Sequence, residues 1–343
     1  MPFDSIRGQT TAVETLTRAL KSGVVHHAYR FEGLDGVGKG MAATAFAQAM
    51  LCTGGDPLGC GRCDACRRVA RVNEDDPRVP LHPDVIYLGR ALYPSDIIGK
   101  KEAKEISVEQ VRRLVLSRAA YAPHEGPAQI FIVWGADELS NSAANALLKT
   151  LEEPRSSTHF VLITSRPDKL LDTIRSRSLP VRFGPLGEDD LSEILRERGI
   201  EAPRIAEAVE IAGGSASVAL EAADEELSAR RTKFVATVMK ALDAPDMGDA
   251  IRLAESVDSD RRALTDDLRA LAAALSRRVR REVASDPAAA ERNARRYELV
   301  LDAIDSVERN GSASLVIASL VGSLRHTVQR RPGDKPPIVL TRR

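Results

Sequence analysis

The chain has 343 residues, 43% hydrophobic and 29% charged, with 49 basic residues balanced by 49 acidic ones. That length accommodates two or three domains at roughly 100–200 residues each. Zero net charge argues against a protein that grips nucleic acid through bulk charge alone, and no run of about 18 apolar residues offers a membrane span. The opening MPFDSIRGQTTAVETL is polar and acidic from Asp4, unlike a signal peptide, so a cytoplasmic location is expected.

Taken in order, residues 12–21 have the spacing of an amphipathic helix, and His26 to Glu32 reads as a short strand. A glycine-rich loop, GLDGVGKG, covers 33–40, and MAATAFAQAM after it is strongly helical. The stretch 71–105 reads as loop with one strand near Asp84–Leu88. Ser107 followed by Gln110 forms a capping box for a helix over 107–118. Ile130–Trp134 and His159–Thr164 are apolar strands separated by a helix near Ser142–Leu151, and Val181–Phe183 is a last short strand. Strands alternating with helices predict a mostly parallel sheet flanked by helices. Beyond Pro185 come two short helices over 188–198 and 203–212, then long apolar-periodic runs at 229–242, 260–285, 288–309 and 313–329. These read as a helical bundle, followed by a Pro-rich, loose end.

Two patterns carry chemistry. Gly33, Gly36, Gly38 and Lys39 match the first part of a phosphate-binding loop, in which backbone N–H groups face phosphate at a helix N-terminus and the lysine adds a point charge. The hydroxyl residue that would ligate magnesium is replaced by Gly40. The second pattern is Cys52-x7-Cys60-x2-Cys63-x2-Cys66, which suits a closed tetrahedral zinc site. A redox Cys-x-x-Cys pair and an iron–sulfur cluster are the other readings of that spacing.

The segments FDSIRGQ (3–9), HHAYRFEG before the loop, HPDV (82–85), ISVEQVRRL (106–114), NALLKTLEEP (145–154) and TIRSRS (173–178) resemble the clamp-loader branch of the AAA+ proteins. The similarity is strongest over 1–185 and continues in NGSASLVIASLVGSLR (310–325). The resemblance implies an α/β AAA+ P-loop domain over 1–185 carrying a zinc-binding insert at 52–66, a helical lid over 186–226 and an all-α collar domain over 227–343 that assembles with other subunits. It also implies that Arg177, in the family's Ser-Arg-Cys signature with Ser178 in place of the cysteine, is an arginine finger acting on a neighbour's ATP.

Counting back from NALLKTLEEP places the family's catalytic Asp-Glu pair at Trp134-Gly135, although an alignment with a single gap would bring Asp137-Glu138 there instead. The lid's nucleotide-sensing arginine falls on Ser217. The expected state is therefore a vestigial ATP/ADP site in a non-hydrolysing scaffold. Its implied partners are the ATP-hydrolysing gamma/tau subunits, the delta subunit, the sliding clamp and primer-template DNA, in a hetero-oligomer. The alternatives are an active gamma/tau-type ATPase and a stand-alone zinc nucleic-acid-binding module.

Overall fold

The structure is a computed structural model and describes residues 1–90, 92–93, 105–243, 261–308 and 312–326. The end after 326, expected to be loose, lies outside the described residues, as does the start of the 310–325 segment. Among the described residues no helix is long and apolar enough to cross a membrane. They divide into two units. One comprises Met1–Arg198 with Gly213–Ser217, the other Gly199–Ala212 with the chain from Val218. The 186–226 segment is thus shared between them.

The first unit is built on five parallel strands, β1 (Ala28–Glu32), β2 (Val85–Leu88), β3 (Gln129–Trp134), β4 (Thr158–Thr164) and β5 (Leu179–Arg182). Their order across the sheet is β2-β3-β4-β1-β5, with Tyr29 beside Val161 and Leu179, and Ile132 beside Tyr87 and Val161. The strands read as continuous apolar runs because both faces are covered. Period-two alternation still sorts their side chains. Tyr29, Phe31, Ile130, Ile132, Val161 and Ile163 pack on one face. Phe131, Val133, Phe160 and Leu162 pack on the other.

The first face is covered by α1 (Thr10–Ser22) and α2 (Lys39–Leu51). Helix α2 is buried through Ala42, Ala43, Ala45, Phe46 and Ala47, and its small side chains let the axis lie close on the sheet. A short helix, α3 (Asp64–Ala70), follows the cysteine segment, with Cys63 as its N-cap. The second face takes a helix over 108–119, α4, and α5 (Asn141–Glu152). The Ser107–Gln110 capping box forms as the sequence predicts. The regular helix expected after it is instead π-helical over Val111–Leu116, with Val111 and Val115 both on the core. A one-turn helix, α6 (Asp172–Arg175), leads into β5, and α7 (Glu188–Glu197) completes the unit.

The second unit is all-helical, with α8 (Ala202–Ala212), α9 (Ala216–Ala222, begun in the first unit), α10 (Glu225–Asp243), α11 (Arg261–Glu282), α12 (Pro287–Glu308) and α13 (Ala313–His326). Val238, Leu268, Leu271, Leu275, Val300, Ile317 and Val321 form its core. Glu210 of α8 accepts from Arg277 at 2.7 Å and also pairs with Arg280.

Candidate functional site

The glycine loop lies where β1 ends and α2 begins, outside the carboxyl ends of the strands, the usual place for ligands in an open parallel sheet. Gly33, Gly36 and Gly38 all take positive φ, of 150°, 75° and 100°. Gly38 is the N-cap of α2, and its left-handed backbone turns the chain into the helix in a way that a Cβ would strain. Lys39 is 4% exposed. Its ammonium donates to the Gly33 and Leu34 carbonyls, both at 2.6 Å, and to Asp35 at 3.3 Å. Burial lowers its pKa, while the charges of Asp35 and Asp137 act in the opposite direction. The segment Gly214–Ser217 lies against the loop: Ala216 N–H donates to the Gly36 carbonyl at 3.0 Å, and a Cβ on Gly36 would be 2.5 Å from the hydroxyls of Ser215 and Ser217.

Magnesium demands an octahedron of oxygens, and the residues at this loop do not supply one. Gly40 has no side-chain oxygen. Strand β3 ends on Trp134, whose indole lies directly over Gly40, so that a Cβ there would come within 2.2 Å of the ring. Tyr87 meets the indole edge-on, with centroids 5.6 Å apart. Asp137 has its side chain 3% exposed and is engaged by its neighbours, accepting from Thr164 Oγ1 at 2.6 Å and from Arg166 Nε at 2.7 Å. Glu138 pairs with Arg90 at 3.6 Å.

Arg177 lies just beyond α6, with its side chain 35% exposed. It donates to the Thr173 carbonyl at 3.0 Å and to Ser176 Oγ at 3.2 Å, and pairs with Glu152 at the end of α5 at 2.7 Å. The loop carrying it is tied to β1 by Arg30, which is 6% exposed. Arg30 Nη1 donates to the Arg175 carbonyl and to Ser178 Oγ, each at 2.9 Å, and its Nε donates to Glu32 at 2.5 Å. Ser178 in turn donates to the Ile174 carbonyl at 2.8 Å. Sequence reasoning missed Arg30, Glu152 and the part played by Ser178. An arginine inside an apolar strand was the available signal, since such a charge needs buried partners.

The four cysteines come together, with all sulfurs within 4.8 Å of one another. Cys52 and Cys63 are 3.9 Å apart, close to the edge of about 3.8 Å that a tetrahedron with 2.3 Å zinc–sulfur bonds requires. Amides already point at the sulfurs. Gly54 and Cys60 donate to Cys52, each at 3.3 Å, Cys63 to Cys60 at 3.2 Å, and Cys66 to Cys63 at 3.4 Å. Burial works against ionisation of Cys63, yet the Cys66 amide and contacts from Thr53 outweigh it and pull the thiol down to about 5. This set of donors fits a thiophilic ion that replaces four thiol protons. A cavity of about 550 Å³ beside His26, His27 and His159 lies at the opposite, amino-terminal end of the strands from the glycine loop, and Pro154 and Leu179, close in sequence to Glu152 and Arg177, help to line it.

A parallel sheet in this order, with a glycine loop between its first strand and the following helix, defines a P-loop domain of the AAA+ type. Within that class the chain belongs to the DNA polymerase III clamp-loader family, because the family sequence model described as "DNA polymerase III, delta subunit" matches residues 8–187. DNA polymerase III subunit delta' of Bacillus subtilis is 30% identical over 228 residues, covering 66% of this chain and 63% of the relative. DNA polymerase III subunit tau/gamma of Haemophilus influenzae is 31% identical over 233 residues, covering 66% of this chain and 31% of the relative. The chain therefore spans less than two thirds of the length of either relative. A crystal structure of a DNA polymerase III gamma subunit-related protein from Thermotoga maritima aligns with a TM-score of 0.49 at 16% identity, over 92% of this chain and 98% of that one.

Proposed function

We propose that this chain is a delta-prime-type subunit of the DNA polymerase III clamp loader, which hydrolyses no ATP itself and lends Arg177 to the ATP of an adjacent gamma/tau subunit. The observation that carries this reading is the contrast between two sites. The loop offers magnesium no side-chain oxygen at Gly40 and an indole at the end of β3, while Arg177 keeps its guanidinium partly exposed on a clamped loop. A guanidinium fork offsets charge developing on the transferring phosphoryl group, an effect worth about 10³–10⁵ in rate. A subunit can lose its own fuel site and keep its finger, because the finger acts next door.

On this reading residues 1–185 are the AAA+ domain, 186–226 the lid and 227–343 a collar that packs with the other subunits in the cytoplasm. Gly33, Gly36, Gly38 and Lys39 are a vestigial nucleotide loop. Cys52, Cys60, Cys63 and Cys66 hold a structural zinc ion that supplies folding energy to a segment with little core of its own. The sliding clamp and primer-template DNA are met through the assembled complex.

The second reading is an active gamma/tau-type ATPase, favoured by the 31% identity to the Haemophilus influenzae tau/gamma subunit. ATP hydrolysis by the isolated chain separates the two. We expect none above background; turnover that disappears on Lys39→Ala would establish the second reading.

A further inference from the structure

Gly40 lies in the first turn of α2 and has no left-handed φ, so the backbone does not call for glycine there. Space does. A Cβ at 40 would sit 2.2 Å from Cη2, 2.7 Å from Cζ3 and 3.4 Å from Cζ2 of Trp134, where ordinary carbon contacts are about 3.5–4.0 Å. The indole is itself backed. Tyr87 stands edge-on to it, and the Tyr87 hydroxyl lies 3.4 Å from Thr44 Oγ1, one turn further along α2, whose Oγ1 donates to the Gly40 carbonyl at 3.1 Å. The ring, at the end of β3, is thus held between the first turns of α2 and Tyr87 of β2.

From this we infer that Trp134 and Gly40 are one interlocked unit, in which the indole fills the place a magnesium ion would take and bars magnesium-bound nucleotide from the loop. This deepens, and rests on, the reading of the loop as vestigial. Each half explains the other. A Cβ at 40 meets the far edge of a ring that is 36% exposed, so a serine or threonine there displaces the indole, and the indole keeps its place only while residue 40 lacks a side chain. The loss is therefore not repaired by restoring either residue alone. Asp137 is already engaged by Thr164 and Arg166, and Glu138 by Arg90.

Trp134 is the only tryptophan in the chain, so its emission reports directly on the site. Four full-length proteins are compared: the parent, Gly40→Thr, Trp134→Ala, and Gly40→Thr in the Trp134→Ala background. Gly40→Thr alone is expected to lower the melting temperature by about 5 °C and to shift the emission to the red as the ring is displaced. In the Trp134→Ala background the same substitution is expected to cost almost nothing. Equal losses in both backgrounds, or an unshifted emission, would overturn the interlock.

Calorimetric titration with ADP, with magnesium or with chelator, tests the exclusion. The parent is expected to show no magnesium-dependent binding. Gly40→Thr with Trp134→Asp, which returns a hydroxyl and a carboxylate, is expected to bind ADP roughly tenfold or more tightly with magnesium than without. Magnesium-dependent binding by the parent, or its absence from the double variant, would refute the exclusion. None of these results depends on the role of Arg177, which is tested separately in the assembled complex.

Discussion

Ser178 follows Arg177, the proposed finger, and its replacement by alanine exposes how that loop is held. Its hydroxyl accepts from the buried Arg30 guanidinium at 2.9 Å and donates to the Ile174 carbonyl at 2.8 Å. Ile174 O keeps a second donor in the Arg177 amide at 3.2 Å, so the loss there is small. Arg30 is less well placed. It retains Glu32 and the Arg175 carbonyl, but one of its N–H groups loses its best-aligned hydroxyl partner in a site 6% exposed. Hydrogen bonds to charged groups contribute about 1.5–3 kcal/mol, and the surviving acceptors argue for the lower end. We therefore expect Ser178→Ala to lower stability by about 1.5 kcal/mol, a fall of roughly 3–6 °C in melting temperature.

Differential scanning calorimetry of the isolated chain reads this. Ser176→Ala is the control, because Ser176 is exposed and its hydroxyl only joins Thr173 and Arg177, so it should shift the melt by less than about 1 °C. A Ser178→Ala protein melting with the parent, or a Ser176→Ala protein losing as much, would refute the clamp from β1.

Elemental analysis is expected to find about one zinc per chain, and Cys60→Ser to lose it along with the ordered segment up to α3; a folded, metal-free protein with unchanged proteolytic resistance across 52–70 speaks against the site. Asp84 is fully buried and accepts from the amides of His124 at 2.5 Å, Glu125 at 3.0 Å and Gly126 at 2.8 Å. Asp84→Asn keeps the shape but turns an NH2 toward donors, so urea denaturation should show a loss of about 3 kcal/mol, whereas a loss below about 1 kcal/mol would show that the carboxylate does not organise that loop.

Much of this was legible in the residues. Continuous apolar runs such as Ile130–Trp134 betray buried parallel strands, and the Ser107–Gln110 spacing carries its own cap. Local rules do not see across the fold. Helix α3 is absent from the elements that the sequence suggests, because its start is marked by a cysteine cap rather than the usual serine or aspartate. The π-turn in α4 has no mark in the spacing, since Val111 and Val115 would share a face in a regular helix as well. At the site, the sequence shows that Gly40 lacks an oxygen. Only the packing shows that Trp134, remote in sequence, requires that absence. Arg30 and Ser178 are 148 residues apart, and nothing local links them.

The most direct measurement is ATP turnover by a clamp loader reconstituted from the subunits of the same organism, with this chain as the parent or as Arg177→Ala. Among the described residues the Arg177 side chain reaches the Thr173 carbonyl, Ser176 and Glu152, all at the surface of its own loop or the end of α5, so its removal should leave folding and assembly intact. We expect the complex to form normally and its DNA-stimulated turnover to lose the share of the one site that Arg177 serves, where a finger is worth about 10³–10⁵ in rate. An assembled complex with undiminished turnover would contradict the finger, and with it the account of what this subunit contributes.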